Sequence, residues 1–205
     1  MKKKIIITGG LGYIGTELCK LYSGVSWNNQ IIVIDNRFIS ERVNQLRNWN
    51  MDFVYGDILD KDLISKHCKD ADVVHHLAGI TEVPRTKSES SAEKDEKIKL
   101  TAEEGTQNIL DAISNKCKII FPSTHVVYEG IEKVKNNIKE DEDLKPILSY
   151  STSKAINEKQ LKNSGKNYVI LRLGSVYGYS TDTARIDIMP NLFSKIASQD
   201  GTIKL

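Results

Sequence analysis

Six apolar runs of strand length, at residues 3–8, 30–35, 51–55, 72–77, 117–121 and 167–173, restrict the fold more than any other feature of the sequence. They are rich in Ile and Val and nearly continuous in hydrophobicity, the pattern of strands covered on both faces rather than half-wetted ones. Helical stretches separate them, at 13–23, 60–68, 90–114 and 149–164, with a weaker one at 40–48. Such alternation calls for crossover connections and parallel strands, so the expected fold class is α/β: a doubly wound parallel sheet with helices on both faces. One long segment, 129–148, interrupts the pattern; it is charge-rich over 139–145, ends near Pro146, and reads as a solvated surface loop. Beyond Gly178 the pattern changes. Residues 186–198 look helical and 202–205 look like the start of a strand, so residues 1–178 are expected to form one domain and 179–205 the beginning of a truncated C-terminal substrate domain.

The chain has 205 residues, 40% hydrophobic and 27% charged, enough to bury a full core. A net charge of +2 with both signs mixed provides no field suited to nucleic acid or an anionic membrane, which leaves a small molecule as the expected partner. Lys2, Lys3 and Lys4 imitate the start of a secretory signal, but only Ile5, Ile6 and Ile7 follow before Thr8. No apolar run approaches the roughly 20 residues of a membrane helix. Cys19, Cys68 and Cys117 are odd in number and widely spaced, so a reduced, cytoplasmic chain is expected.

The first apolar run leads directly into Thr8-Gly9-Gly10-Leu11-Gly12-Tyr13-Ile14-Gly15, which places glycine at every third position. Gly9 permits the turn out of the strand, Gly12 lets backbone approach a pyrophosphate, and Gly15 allows close helix–strand packing. The helix N-terminus then presents free N–H groups to an anion. Asp35, 20 residues beyond Gly15, closes the second run, where a carboxylate accepts ribose hydroxyls and repels a 2′-phosphate. Arg37, two residues on, argues in the other direction; the balance predicts NAD over NADP. Gly56-Asp57-Ile58 and His75-His76-Leu77-Ala78-Gly79 close the third and fourth runs, at the same edge of the sheet. Asp57 equally suits a cap for the next helix. His75 and His76 alternate across a strand and so do not chelate one metal; no metal is expected.

Tyr150 and Lys154 stand at i, i+4 on one helical face. A free tyrosine has a pKa of about 10, and lowering it by about three units takes about 4 kcal/mol, which Lys154 and an oxidised nicotinamide would supply together. Thr124, after the fifth run, is the hydroxyl candidate to hold a substrate oxygen; its simpler role is to cap the strand end.

Taken in order, Thr8-Gly9-Gly10-x-Gly12-Tyr13-Ile14-Gly15, Asp35, Gly56-Asp57, Leu77-Ala78-Gly79, Ser123-Thr124 and Tyr150-x-x-x-Lys154 resemble the extended short-chain dehydrogenases, the NAD-dependent epimerase/dehydratase family. The resemblance covers residues 1 to about 180 and implies a Rossmann fold, bound NAD, nucleotide-sugar substrates and a possible homodimer paired through helices at about 90–114 and 149–164, whose apolar positions equally suit the sheet. It implies catalytic roles for Thr124, Tyr150 and Lys154. It also implies cofactor contacts at Gly9, Gly12, Tyr13, Ile14, Gly15, Asp35, Asn36, Asp57, Ile58, Leu77, Ala78, Gly79, Tyr150 and Lys154. The chain departs from the family at Ala102 and Ser175, each in place of a customary Asn, and at His125-Val126, where dehydratases carry Asp-Glu. The expected activity is therefore 4-epimerase-like; a dehydratase or reductase of the same family, or a dinucleotide-binding regulator without chemistry, is the alternative.

Overall fold

A computed structural model describes residues 2–81, 91–180, 185, 186 and 188–203. Its strands β1 (Lys4–Thr8), β2 (Gln30–Asp35), β3 (Asp52–Tyr55), β4 (Val73–His76), β5 (Lys118–Thr124) and β6 (Asn167–Leu173) form one sheet in the order β3-β2-β1-β4-β5-β6. Every pairing is parallel. The order reverses between β1 and β4, and the crevice at their carboxyl ends is where an open α/β sheet accepts a ligand.

Successive residues of β1 feed opposite cores, as a strand buried on both faces requires. Ile5 and Ile7 pack with Val33, Val43 and Leu46 beneath α1 (Tyr13–Ser23) and α2 (Ser40–Asn48). Ile6 packs with Ile64, Ile109, Phe121 and Leu161 beneath α3 (Lys61–Cys68), α4 (Ala92–Ala112) and α5 (Ser149–Asn163). Each fully buried Ile or Phe side chain contributes about 1.5–3 kcal/mol, so the two layers hold the sheet rigid beneath its carboxyl edge.

Several boundaries differ from the sequence expectation for physical reasons. Asp60 caps α3 instead of opening it, its carboxylate accepting from the Leu63 N–H at 3.0 Å. Ser91 caps α4 in the same way, while Ser90 lies outside the described residues. Strand β5 continues to Thr124 because its ladder to β6 runs through Thr124↔Leu173, although its ladder to β4 stops at Ile120. Pro122 therefore sits where β5 is paired on one side only, a position in which a strand tolerates proline. A last helix, α6 (Met189–Ser198), starts three residues later than expected, with proline in its first turn. Thr202 and Ile203 form no strand, and Lys204 and Leu205 lie outside the described residues.

The 129–148 loop is largely exposed, but its ends are tied together. Lys145 donates to the Val127 carbonyl and accepts from the Gly130 N–H, both at 2.8 Å. The Glu129 carboxylate accepts from the Ile147 and Leu148 N–H groups at 2.7 Å and from the Ser151 hydroxyl, and so anchors the start of α5. Among the described residues no helix is long and apolar enough to cross a membrane.

Candidate active site

The glycine-rich turn is built by close approach. Gly9 holds φ at +69°, and a Cβ there would lie 2.6 Å from the Ala78 nitrogen. A Cβ on Gly15 would lie 2.4 Å from the Gly9 carbonyl oxygen, so helix α1 rests directly on the turn. Gly12 is the N-cap of α1 and no side chain caps the helix, which leaves the first-turn N–H groups of Tyr13, Ile14 and Gly15 facing the crevice. This cradle fits a dinucleotide pyrophosphate. The Ile14 side chain is exposed, whereas the Tyr13 phenol points away to the Gly178 carbonyl, to which it donates at 2.5 Å.

Asp35 ends β2 with its side chain only 3% exposed, and both its oxygens already have donors. The Leu11 N–H donates to Oδ2 at 2.9 Å, and the Arg37 N–H and Nε donate to Oδ1 at 3.0 and 3.2 Å. Arg37, which the sequence set against Asp35 in the choice between NAD and NADP, thus pairs with that carboxylate directly, and its guanidinium also lies near Gly12. Next to it the Asn36 amide donates to Asp57 Oδ2 at 2.8 Å, joining the ends of β2 and β3. Asp57 holds its own turn through the Leu59 N–H and does not cap α3. Ile58 is buried in the core, which leaves only its backbone for contact with a cofactor.

At the end of β4, Leu77, Ala78 and Gly79 line a pocket together with Tyr150 and Lys154 of α5. Sequence reasoning missed what fixes this edge. His76, fully buried, places Nδ1 3.0 Å from Thr8 Oγ1 and Nε2 3.0 Å from Thr106 Oγ1, while Thr8 also accepts from the Ala78 N–H at 3.2 Å. Burial, aided by Lys154, pushes the His76 imidazole down to about 3, so it stays neutral and works as a brace between β1, β4 and α4. His75 lies on the opposite face, 2.8 Å from the Tyr22 hydroxyl. No group of three or more His, Cys, Asp or Glu side chains that could hold a metal occurs among the described residues.

Tyr150 and Lys154 share a face of α5, with the ammonium 5.8 Å from the phenol ring centre. Its hydrogen bond, however, goes to the Pro122 carbonyl of β5 at 2.8 Å, and it lies 4.4 Å from the centre of the Phe121 ring. Burial brings Lys154 down to about 8. The Tyr150 phenol is pushed up by burial, with Arg185 pulling it partly back, so in the protein by itself Lys154 does not provide the expected lowering. Thr124 is buried at the end of β5, two residues beyond the carbonyl that Lys154 holds, and its hydroxyl accepts from the Val126 N–H at 3.3 Å, the capping role.

A buried ion pair supports this strand end from below. Glu158 of α5 accepts from the Ser123 hydroxyl at 2.6 Å and takes Arg172 of β6 in a fork, Nε to Oε1 at 2.9 Å and Nη2 to Oε2 at 2.7 Å. Burial raises the Glu158 carboxyl, but its bonds to Arg172 and Ser123 outweigh this and hold it below its usual value. Residues 123, 158 and 172 carry no common spacing, so no sequence signal announced them.

An α/β sheet with a glycine cradle at its switch point and a Tyr–Lys pair across the crevice has the Rossmann-type fold of the short-chain dehydrogenase/reductase-like proteins. The model of the NAD dependent epimerase/dehydratase family matches residues 5–205, and the chain belongs to that family. It is 31% identical over 199 residues to dTDP-D-glucose 4,6-dehydratase of Dictyostelium discoideum, covering 86% of this chain and 44% of that protein. It is 30% identical over 205 residues to CDP-paratose 2-epimerase of Salmonella typhi, covering 85% and 58%. Among solved structures it superposes on a mutant of UDP-glucuronic acid 4-epimerase from Bacillus cereus in complex with UDP-4-deoxy-4-fluoro-glucuronic acid and NAD. That match has a TM-score of 0.80 at 28% identity and covers 98% of this chain and 65% of the other. The chain spans about half the length of the curated relatives it matches.

Proposed function

We propose that residues 1–178 form the NAD-holding and catalytic part of a nucleotide-sugar epimerase, acting in the manner of a 4-epimerase. The observation that carries this reading is the pocket in which Tyr150 and Lys154 meet Leu77, Ala78 and Gly79, one strand away from the glycine cradle. The first-turn N–H groups of Tyr13, Ile14 and Gly15 would take the pyrophosphate, Asp35 and Asn36 the adenosine ribose, and Asp57 with the Ile58 backbone would edge the adenine. Bound NAD would supply a reversible hydride acceptor. The chain's own part is to manage the proton. Tyr150 takes it from a sugar hydroxyl at its phenol oxygen and returns it, Thr124 orients that hydroxyl, and Lys154 favours the phenolate once its ammonium turns from Pro122 toward the ring. His125 and Val126 after Thr124 bring no carboxyl pair, which supports epimerisation over 4,6-dehydration. The three buried, free cysteines support a reducing, cytoplasmic setting.

The test is incubation of the chain with NAD and a panel of nucleotide sugars in D2O, followed by NMR. The expected product is the C4 epimer retaining protium at carbon 4. A dehydrated ketosugar, or stoichiometric consumption of reduced cofactor, would replace this reading with the dehydratase or reductase one, and failure to bind NAD would overturn it.

A further inference from the structure

The Tyr13 phenol turns away from the glycine cradle and ties the glycine-rich turn to residues far along the chain. Tyr13 is the first residue of α1; its hydroxyl donates to the Gly178 carbonyl at 2.5 Å, across 165 residues of sequence. Gly178 in turn donates its N–H to Asn191 Oδ1 at 3.0 Å. The Asn191 amide closes the ring, donating to the Tyr13 oxygen at 3.3 Å and to the Arg185 carbonyl at 2.9 Å. One asparagine of α6 thus uses its acceptor and both donor directions on three separate pieces of chain. Gly178 holds φ at +140°, a backbone state that a side chain would resist, so the carbonyl and N–H are presented to their two partners by a residue suited to it. Helix α6 fully buries none of its own residues, with Phe193 and Ile196 half-buried. Asn191 is the residue of α6 that bonds to both Tyr13 and Gly178.

We propose that Tyr13 and Asn191 form a latch that couples the occupancy of the phosphate-binding turn to the position of the residues following β6, with Tyr13 as a positioning residue. The proposal rests on the reading that the turn holds a dinucleotide. An anion at the first-turn N–H groups of α1 fixes the Tyr13 backbone, which restrains the phenol and, through it, Gly178 and Asn191. Asn191 then restrains the backbone of Arg185, the residue whose charge opposes the rise of the Tyr150 phenol. Cofactor loading on one side of the crevice and the electrostatics around the proton acceptor on the other become a single linked state, and the linkage is reciprocal.

The test is amide hydrogen exchange over residues 174–180 of the full chain, with and without NAD, alongside an NAD titration and an NMR titration of the Tyr150 phenol. Tyr13→Phe removes one hydroxyl; Asn191→Asp keeps the acceptor for Gly178 and loses both donors. In the parent chain NAD should slow exchange at these residues on the order of tenfold, what one hydrogen bond carries. In Tyr13→Phe and Asn191→Asp that NAD-dependent slowing should vanish, NAD should bind more weakly by up to about the same tenfold because the linkage is reciprocal, and the Tyr150 phenol should titrate at higher pH than in the parent. If NAD binds but slows exchange equally in all three proteins, or if the phenol titrates unchanged, the latch is overturned and the cofactor site stands. If NAD does not bind the parent chain, the cofactor reading and the latch fall together.

Discussion

Replacing Arg37 by Ala separates two roles that meet at the end of β2. Asp35 keeps its donors from the Leu11 and residue-37 backbone N–H groups, so the carboxylate stays in place while the cation beside it disappears. A guanidinium about 5 Å from a 2′-phosphate contributes roughly 1–3 kcal/mol at an effective dielectric between 20 and 80. Because Arg37 is 52% exposed, the lower end applies, which corresponds to about five- to tenfold in Kd. The parent chain should therefore prefer NAD to NADP only moderately. In Arg37→Ala, NADP binding should weaken by about five- to tenfold while NAD binding stays within about twofold. Calorimetric titration of both nucleotides at low and high salt measures this, and the NADP difference should shrink as salt rises. Equal weakening of both nucleotides, or no change in NADP affinity, would refute the idea that Arg37 compensates Asp35.

Glu158→Ala strips Arg172 and Ser123 of a buried partner and should cost about 3–5 kcal/mol in urea unfolding at neutral pH. Since the folded Glu158 value is lowered, its contribution is complete at neutral pH and lost as pH falls through that value, so parent and variant should converge in acid. Lys154 shifts stability in the same direction but for a different reason, burial disfavouring its charged form. Its folded value of about 8 lies below the unfolded one, so the unfolded chain binds more protons between the two and stability should rise with pH above 8, a rise that Lys154→Met lacks in matched melting curves. Gly15→Ala drives a Cβ into the Gly9 carbonyl and the Gly10 Cα, and should cost about 1–3 kcal/mol of stability together with most of the NAD affinity, read by thermal shift with and without NAD.

The fold was legible because apolar runs of strand length alternate with helical ones, and that period survives folding. What the period did not contain came from pairing and from long separations. Strand β5 outran its predicted end because β6 continued to pair with it as far as Thr124. The glycine cradle was legible residue by residue, since each glycine answers a local demand. The state of Asp35 was not, because the spacing that places Arg37 nearby does not reveal that its guanidinium folds back onto the carboxylate. Likewise the i, i+4 spacing put Tyr150 and Lys154 on one face but was silent on the Pro122 carbonyl, which takes the ammonium. The His76–Thr106 contact and the Asn191–Tyr13 bond join residues 30 and 178 positions apart, and the Glu158–Arg172 fork residues 14 apart, each by side-chain geometry alone.

The most direct measurement pairs NAD titration with rapid mixing of the NAD-loaded protein and a nucleotide sugar, followed at 340 nm, for the parent chain and Tyr150→Phe. Tyr150→Phe removes only the phenol oxygen from a half-buried ring, so NAD affinity should stay within about twofold while the rate of cofactor reduction falls by about a hundredfold or more, the share general acid–base catalysis usually carries. Reduction at the parent rate in Tyr150→Phe would contradict the assignment of Tyr150 as the proton acceptor.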